Sequence, residues 1–144
     1  MANVHARAIV DPGERPKTLW GKGLPSSGVV MWNGVRPEDA CLVFVAEGVT
    51  DFWTACAAGL RSTCIYGATS GGFGALARVT MRPWVSVVVA PDGDAAGDAY
   101  MEQIRAAIPG RTVGRVALPP RVDVNDYVRR GGEVRGLVGE VLSR

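Results

Sequence analysis

The pattern of apolar and polar positions changes near residue 40. Downstream, short runs that are apolar at nearly every position alternate with segments whose apolar residues recur at helical spacing. Cys41–Ala46, Thr63–Tyr66, Val85–Ala90 and Thr112–Ala117 read as strands. The unbroken apolar character of the first and third is that of strands covered on both faces. Helices are expected after the first strand through about Ala58, around Ala75–Val79, from about Ala95 to Ile108, and over Asn125–Arg130 and Glu133–Leu142. In the first of these, Trp53, Cys56, Ala57 and Leu60 fall at helical spacing, and Gly59 is placed to end the helix. Upstream of residue 40, Pro12, Gly13, Pro16, Gly21, Gly23, Pro25, Gly28, Gly34 and Pro37 interrupt any period and leave only Val29–Trp32 as a short strand.

Strands alternating with helices predict a parallel sheet with helices on both faces. The expected class is α/β: a four-stranded, mainly parallel sheet over residues 40–144, preceded by a short irregular N-terminal arm or small lobe over residues 1–39. In such sheets ligands bind beyond the carboxyl ends of the strands, so the residues that follow each strand are the first candidates for chemistry.

Composition narrows this only slightly. A chain of 144 residues, 47% hydrophobic and 21% charged, suits one globular domain with one core. No apolar run approaches the roughly 20 residues of a membrane span. The N-terminus lacks the apolar core of a secretory signal. A cytoplasmic protein with no membrane partner is expected. Cys41, Cys56 and Cys64 are three and lack a Cys-x-x-Cys pair, which disfavours a disulfide framework or a zinc site. Each reads as a small buried hydrophobe, and Trp20, Trp32, Trp53 and Trp84 read as packing residues. The net charge of +2 does not mark a nucleic-acid binder, but residues 101–144 hold eight arginines against five acids.

Three acidic clusters follow strands. Glu47-Gly48, with Asp51 beyond it, follows the first; Asp92-Gly93-Asp94 follows the third; Asp123, Asn125 and Asp126 follow the fourth. A parallel sheet sets all three along one edge. Carboxylates crowded together repel one another and hold their protons more tightly, and a divalent cation relieves this. The donors are hard oxygens and His5 is the only histidine, which favours Mg²⁺ over softer metals. The turn from Gly67 to Gly74, through Gly71 and Gly72, could cradle a phosphate on backbone amides, although it lacks the Gly-Lys-Ser/Thr ending of a Walker loop. Arg78, Arg82 and Arg121 are candidates for phosphate contact.

The segments Val45–Asp51, Asp92–Gly97 and Asp123–Tyr127, in this order and spacing, resemble the TOPRIM domain of bacterial and phage DNA primases over about residues 40–130. The resemblance implies a Mg²⁺-dependent nucleotidyltransferase, with Mn²⁺ able to substitute, acting on DNA and nucleoside triphosphates in primer synthesis. It implies that Glu47 handles a proton or completes the metal shell, that Asp92 and Asp94 hold the metal, and that Asp123 and Asn125 stand near a second ion. Gly48 and Asp51 complete the Glu-Gly-x-x-Asp motif beside the substrate. Asn125 stands where a second acid often occurs. The chain also has no zinc-ribbon cysteines, no helicase-type phosphate loop and at most 40 residues where primases carry a larger basic lobe. Those departures suggest one piece of a split or reduced replication protein from a phage or mobile element, working with a helicase or zinc-ribbon partner. A TOPRIM nuclease and a noncatalytic nucleic-acid or nucleotide-binding module stay open as alternatives.

Overall fold

The computed structural model describes residues 5–7, 18–20, 30–32, 42–60, 62–65 and 84–143. Two short strands, β1 (His5–Arg7) and β2 (Thr18–Trp20), pair antiparallel as a separate ribbon. The main sheet holds β3 (Val30–Trp32), β4 (Leu42–Ala46), β5 (Ser62–Ile65), β6 (Ser86–Ala90) and β7 (Val113–Arg115) in the order β3-β5-β4-β6-β7. The four expected strands run parallel to one another. β3 adds a fifth, antiparallel strand on the edge of β5.

Side chains of a strand point alternately to opposite faces, and β4 and β6 are apolar on both. Val43 and Val45, with Val87 and Val89, meet helix α2 (Ala95–Ala107) on one face. Phe44 and Ala46, with Val88 and Ala90, meet α1 (Val49–Ala57), α3 (Val124–Arg129) and α4 (Val134–Leu142) on the other. Helix α2 buries Gly97, Tyr100, Met101 and Ile104, a one-sided stripe at spacings of three and four. Each large side chain so buried contributes about 1.5–3 kcal/mol. Tyr100 also donates from its hydroxyl to the Ala46 carbonyl, 3.1 Å away, which ties α2 to the last residue of β4.

Two expectations about packing are corrected. The buried stripe of α1 is Val49, Phe52 and Ala55, with Asp51 beside them, whereas Trp53 and Ala57 face solvent. Trp53 and Trp84 are 57% and 63% exposed and do not pack in the core. The size of Trp53 does not decide the buried face, which the sheet sets against the smaller Val49 and Ala55 and against Phe52. Cys56 is half-buried. The helix expected around Ala75–Val79, Cys41 and the side chains of Cys64, Trp20 and Trp32 lie outside the described residues. Among the described residues no helix is long and apolar enough to cross a membrane.

Candidate active site

The topology selects one edge of the sheet. From β4 the chain passes through α1 to β5 on one side, and β6 then pairs with β4 on the other side. Helices α1 and α2 consequently cover opposite faces, and the carboxyl ends of β4 and β6 form the switch point, the place where α/β sheets bind ligands. Ala46 and Ala90 are register partners at the last rung. Glu47 and Pro91-Asp92 therefore leave adjacent strands at the same level.

The acids there feel one another. Burial, followed by the charge of Asp92, raises the proton affinity of Glu47 above the ordinary glutamate range; the Asp92 backbone N–H donates to it and partly offsets this, while Asp94 and Asp51 add to the rise. Asp92 is raised in turn by burial, by Asp123 and by Asp94. The three acidic clusters thus share one rim, as the parallel sheet requires. Oε2 of Glu47 is buried and accepts no hydrogen bond among the described residues, although the residue is held through the Asp92 amide.

The acids do not form a ready-made cage. Among the described residues no group of three such side chains is placed to enclose an ion, and two of the acids serve as helix caps. Asp94 accepts from Gly97 N at 2.9 Å to start α2. Asp123 accepts from Asp126 N at 2.6 Å to start α3. Both still have a second carboxylate oxygen. Asn125, expected near a second ion, is engaged with α1: its Oδ1 accepts from the Thr54 hydroxyl at 3.2 Å, and its backbone N–H donates to Asp51.

Asp51 and Gly48 join the site to its frame. Asp51 is 5% exposed and accepts from Asn125 N at 2.9 Å, clamping α1 to the start of α3. A β-carbon on Gly48 would stand 2.5 Å from Asp51 Oδ2. Gly48 is therefore glycine for packing, so the Glu-Gly-x-x-Asp motif is one contributor to the rim, Glu47, and two residues that hold it. Replacing Asp51 by alanine leaves the Asn125 amide without this acceptor, at a cost of about 2 kcal/mol. Denaturant titration should show a lower midpoint with an unchanged slope.

The Asp92–Asp94 turn is fixed by contacts on two sides. Gly97 brings its Cα against the Asp92 backbone, where a β-carbon would overlap the Asp92 carbonyl oxygen. A β-carbon on Gly93 would lie 3.0 Å from the Pro119 carbonyl and 3.3 Å from Arg121 N. The loop after β7 therefore packs directly on this turn. Within that loop Arg121 has φ of 59°, the one non-glycine residue with positive φ among those described. The left-handed region costs a side chain roughly 1–2 kcal/mol.

Gly67, Gly71, Gly72, Arg78 and Arg82, the expected phosphate contacts, lie outside the described residues. Sequence inspection assigned no role to Gly97, Tyr100 or Thr54, which position the rim without belonging to it. A glycine three residues past an aspartate N-cap was the one visible sign of the close approach.

The donor set suits a hard divalent cation. Every rim side chain offers carboxylate oxygen, burial and neighbouring charge already disfavour the ionisation of Glu47 and Asp92, and Mg²⁺ needs few protein ligands because it retains water. Glu47, Asp92 and Asp94 would hold it.

No curated sequence matches the chain. Solved structures do. A primase from Aquifex aeolicus comprising zinc-binding and RNA polymerase domains superposes with a TM-score of 0.70 at 20% identity, over 94% of this chain and 36% of its own length. A DNA primase domain from Pseudomonas aeruginosa gives 0.65 at 20% identity, over 95% and 46%. The RNA polymerase domain of the Mycobacterium tuberculosis primase, in complex with double-stranded DNA, gives 0.64 at 23% identity, over 96% and 47%. The chain thus spans less than half the length of these three structures and shares their fold. The family model described as Toprim-like matches residues 44–128, from β4 through α3 and across every acid of the rim, and the chain belongs to that family, with a fold of the primase type.

Proposed function

We propose that residues 40–144 form the nucleotidyltransferase unit of a primase, with residues 1–39 as its arm. The observation that supports this best is the meeting of Glu47 and Asp92 at the switch point, where burial and the charge of Asp92 raise the proton affinity of Glu47, and burial with Asp123 and Asp94 raises that of Asp92. Phosphoryl transfer needs negative charge neutralised and reactants aligned more than it needs a covalent partner. A divalent cation bound at the rim would supply that neutralisation. Asp92 and Asp94, one on the body of the turn and one on the N-cap of α2, fix where the phosphates are held. Glu47, partly buried and with raised proton affinity, is suited to take the proton of an attacking hydroxyl. In primer synthesis that hydroxyl is a 3′-hydroxyl and the substrate a nucleoside triphosphate on a DNA template.

The Aquifex primase includes a zinc-binding domain, and a zinc-ribbon protein or a helicase is the kind of partner proposed. The test incubates the chain, alone and with such a partner, with single-stranded DNA, labelled nucleoside triphosphates and Mg²⁺ or Mn²⁺. Template-dependent primers are expected, and none with Asp92→Asn. Shortened DNA in place of primers would make the chain a nuclease. Metal-dependent binding without turnover in every mixture would reduce it to a binding module.

A further inference from the structure

We propose that Arg121 is a phosphate-positioning residue, binding phosphate oxygens of the substrate beside the acidic rim. This rests on the nucleotidyltransferase reading above. The rim is lined by Glu47, Asp92, Asp94 and Asp123, a concentration of negative charge that an incoming phosphate must approach. The loop over residues 119–122 packs on the middle of the Asp92–Asp94 turn, with Arg121 N 3.3 Å from the position of a β-carbon on Gly93. That loop is closed by Val122 N donating to the Pro119 carbonyl at 3.1 Å and anchored by the buried Val122. Its exposed position beside the turn is an arginine at φ 59°. Glycine, asparagine or aspartate would meet this backbone requirement at lower cost.

Arg121 makes no ion pair or side-chain hydrogen bond among the described residues, although Asp123 is two positions away. Its fork of donors is thus uncommitted, and a guanidinium matches two oxygens of one phosphate. The backbone fixes the base of the side chain next to the turn that would hold the metal, so a phosphate on the metal comes within the range of a long basic side chain. The same chemistry serves a triphosphate or a phosphodiester of the nucleic acid.

The test compares Arg121→Gly, Arg121→Asn, Arg121→Lys and Asp92→Asn with the parent in Mg²⁺, using a fluorescent ATP analogue and a labelled single-stranded oligonucleotide. Glycine and asparagine both suit the backbone, so each variant should melt no lower than the parent. Each should bind at least one probe about tenfold more weakly, the loss of a charge-assisted contact, and lysine should restore part of that affinity. Loss confined to the ATP analogue assigns the contact to the triphosphate. Loss confined to the oligonucleotide, with the salt slope falling by about one, assigns it to the nucleic-acid backbone. Parental affinity for both probes in the glycine and asparagine variants overturns the proposal. If Asp92→Asn has meanwhile lost binding, the proposal alone fails. If the parent binds neither probe in Mg²⁺, the reading of the function fails with it.

Discussion

Replacing Glu47 by glutamine should make the metal-free protein more stable at neutral pH while lowering turnover roughly 10³-fold, within the range of general acid–base effects. The two changes have one origin. Burial and the charge of Asp92 make Glu47 hold its proton more tightly when folded than when unfolded. A carboxyl shifted this way contributes its full stability below its unfolded-state pKa and loses it as pH rises through the folded-state value. By neutral pH the folded chain has therefore lost that contribution, and the neighbouring Asp92 is shifted in the same direction by burial, Asp123 and Asp94. Glutamine keeps the shape and removes the charge. Its advantage over the parent should be on the order of 1 kcal/mol near pH 7, typical of relieving strain at a functional site, and should fade towards pH 4. Thermal melts of both proteins across that interval give the difference directly. Adding Mg²⁺ should stabilise the parent by mass action and leave the glutamine variant nearly unchanged. A variant that is no more stable than the parent at pH 7, or that keeps parental turnover, removes Glu47 from the role given to it.

The acids of the rim were legible in the sequence because strand ends announce themselves. Buried strands are written as Leu42–Ala46 and Ser86–Ala90, and whatever follows them must surface at the same edge once the strands are parallel. That one inference placed Glu47, Asp92, Asp94 and Asp123 together without any knowledge of side-chain geometry. How each carboxylate divides between capping and the open rim was not legible. Asp94 and Asp123 cap helices, and Asp51 and Asn125 bind each other across α1 and α3, because an aspartate near a helix start satisfies orphan amides whether or not a metal is near. Sequence gives the residue type and the edge; the hydrogen-bond partner depends on the angle at which two helices meet. The face of α1 failed for a related reason, since the size of Trp53 says nothing about which side of the helix the sheet occupies.

Gly97→Ala should destabilise the protein by about 3 kcal/mol, reversing the usual sign for a helix. In an exposed helix interior, alanine in place of glycine stabilises by up to about 1 kcal/mol, because the unfolded chain has less freedom to lose. Gly139, exposed in α4 with nothing within 4 Å of its would-be β-carbon, should follow that rule. Gly97 cannot. Its β-carbon would overlap the Asp92 carbonyl oxygen and reach within 3.0 Å of Asp92 N. All of these are backbone atoms, so no rotamer change relieves the overlap. Either the first turn of α2 moves away from the sheet, pulling Tyr100 from the Ala46 carbonyl, or the Asp92–Asp94 turn shifts towards the Pro119 carbonyl that already confines Gly93. Overpacking of this kind costs about 1–3 kcal/mol, and the helix preference gained with alanine is too small to offset it. For a chain of this length the melting temperature should fall by roughly 6–12 °C, and Mg²⁺-dependent nucleotide binding should weaken with it because Asp92 moves. Measured beside Gly139→Ala, the pair separates backbone contact from helix propensity. Two variants that both gain stability would mean that the Asp92 backbone does not rest on Gly97, and the geometry assigned to the turn would have to be abandoned.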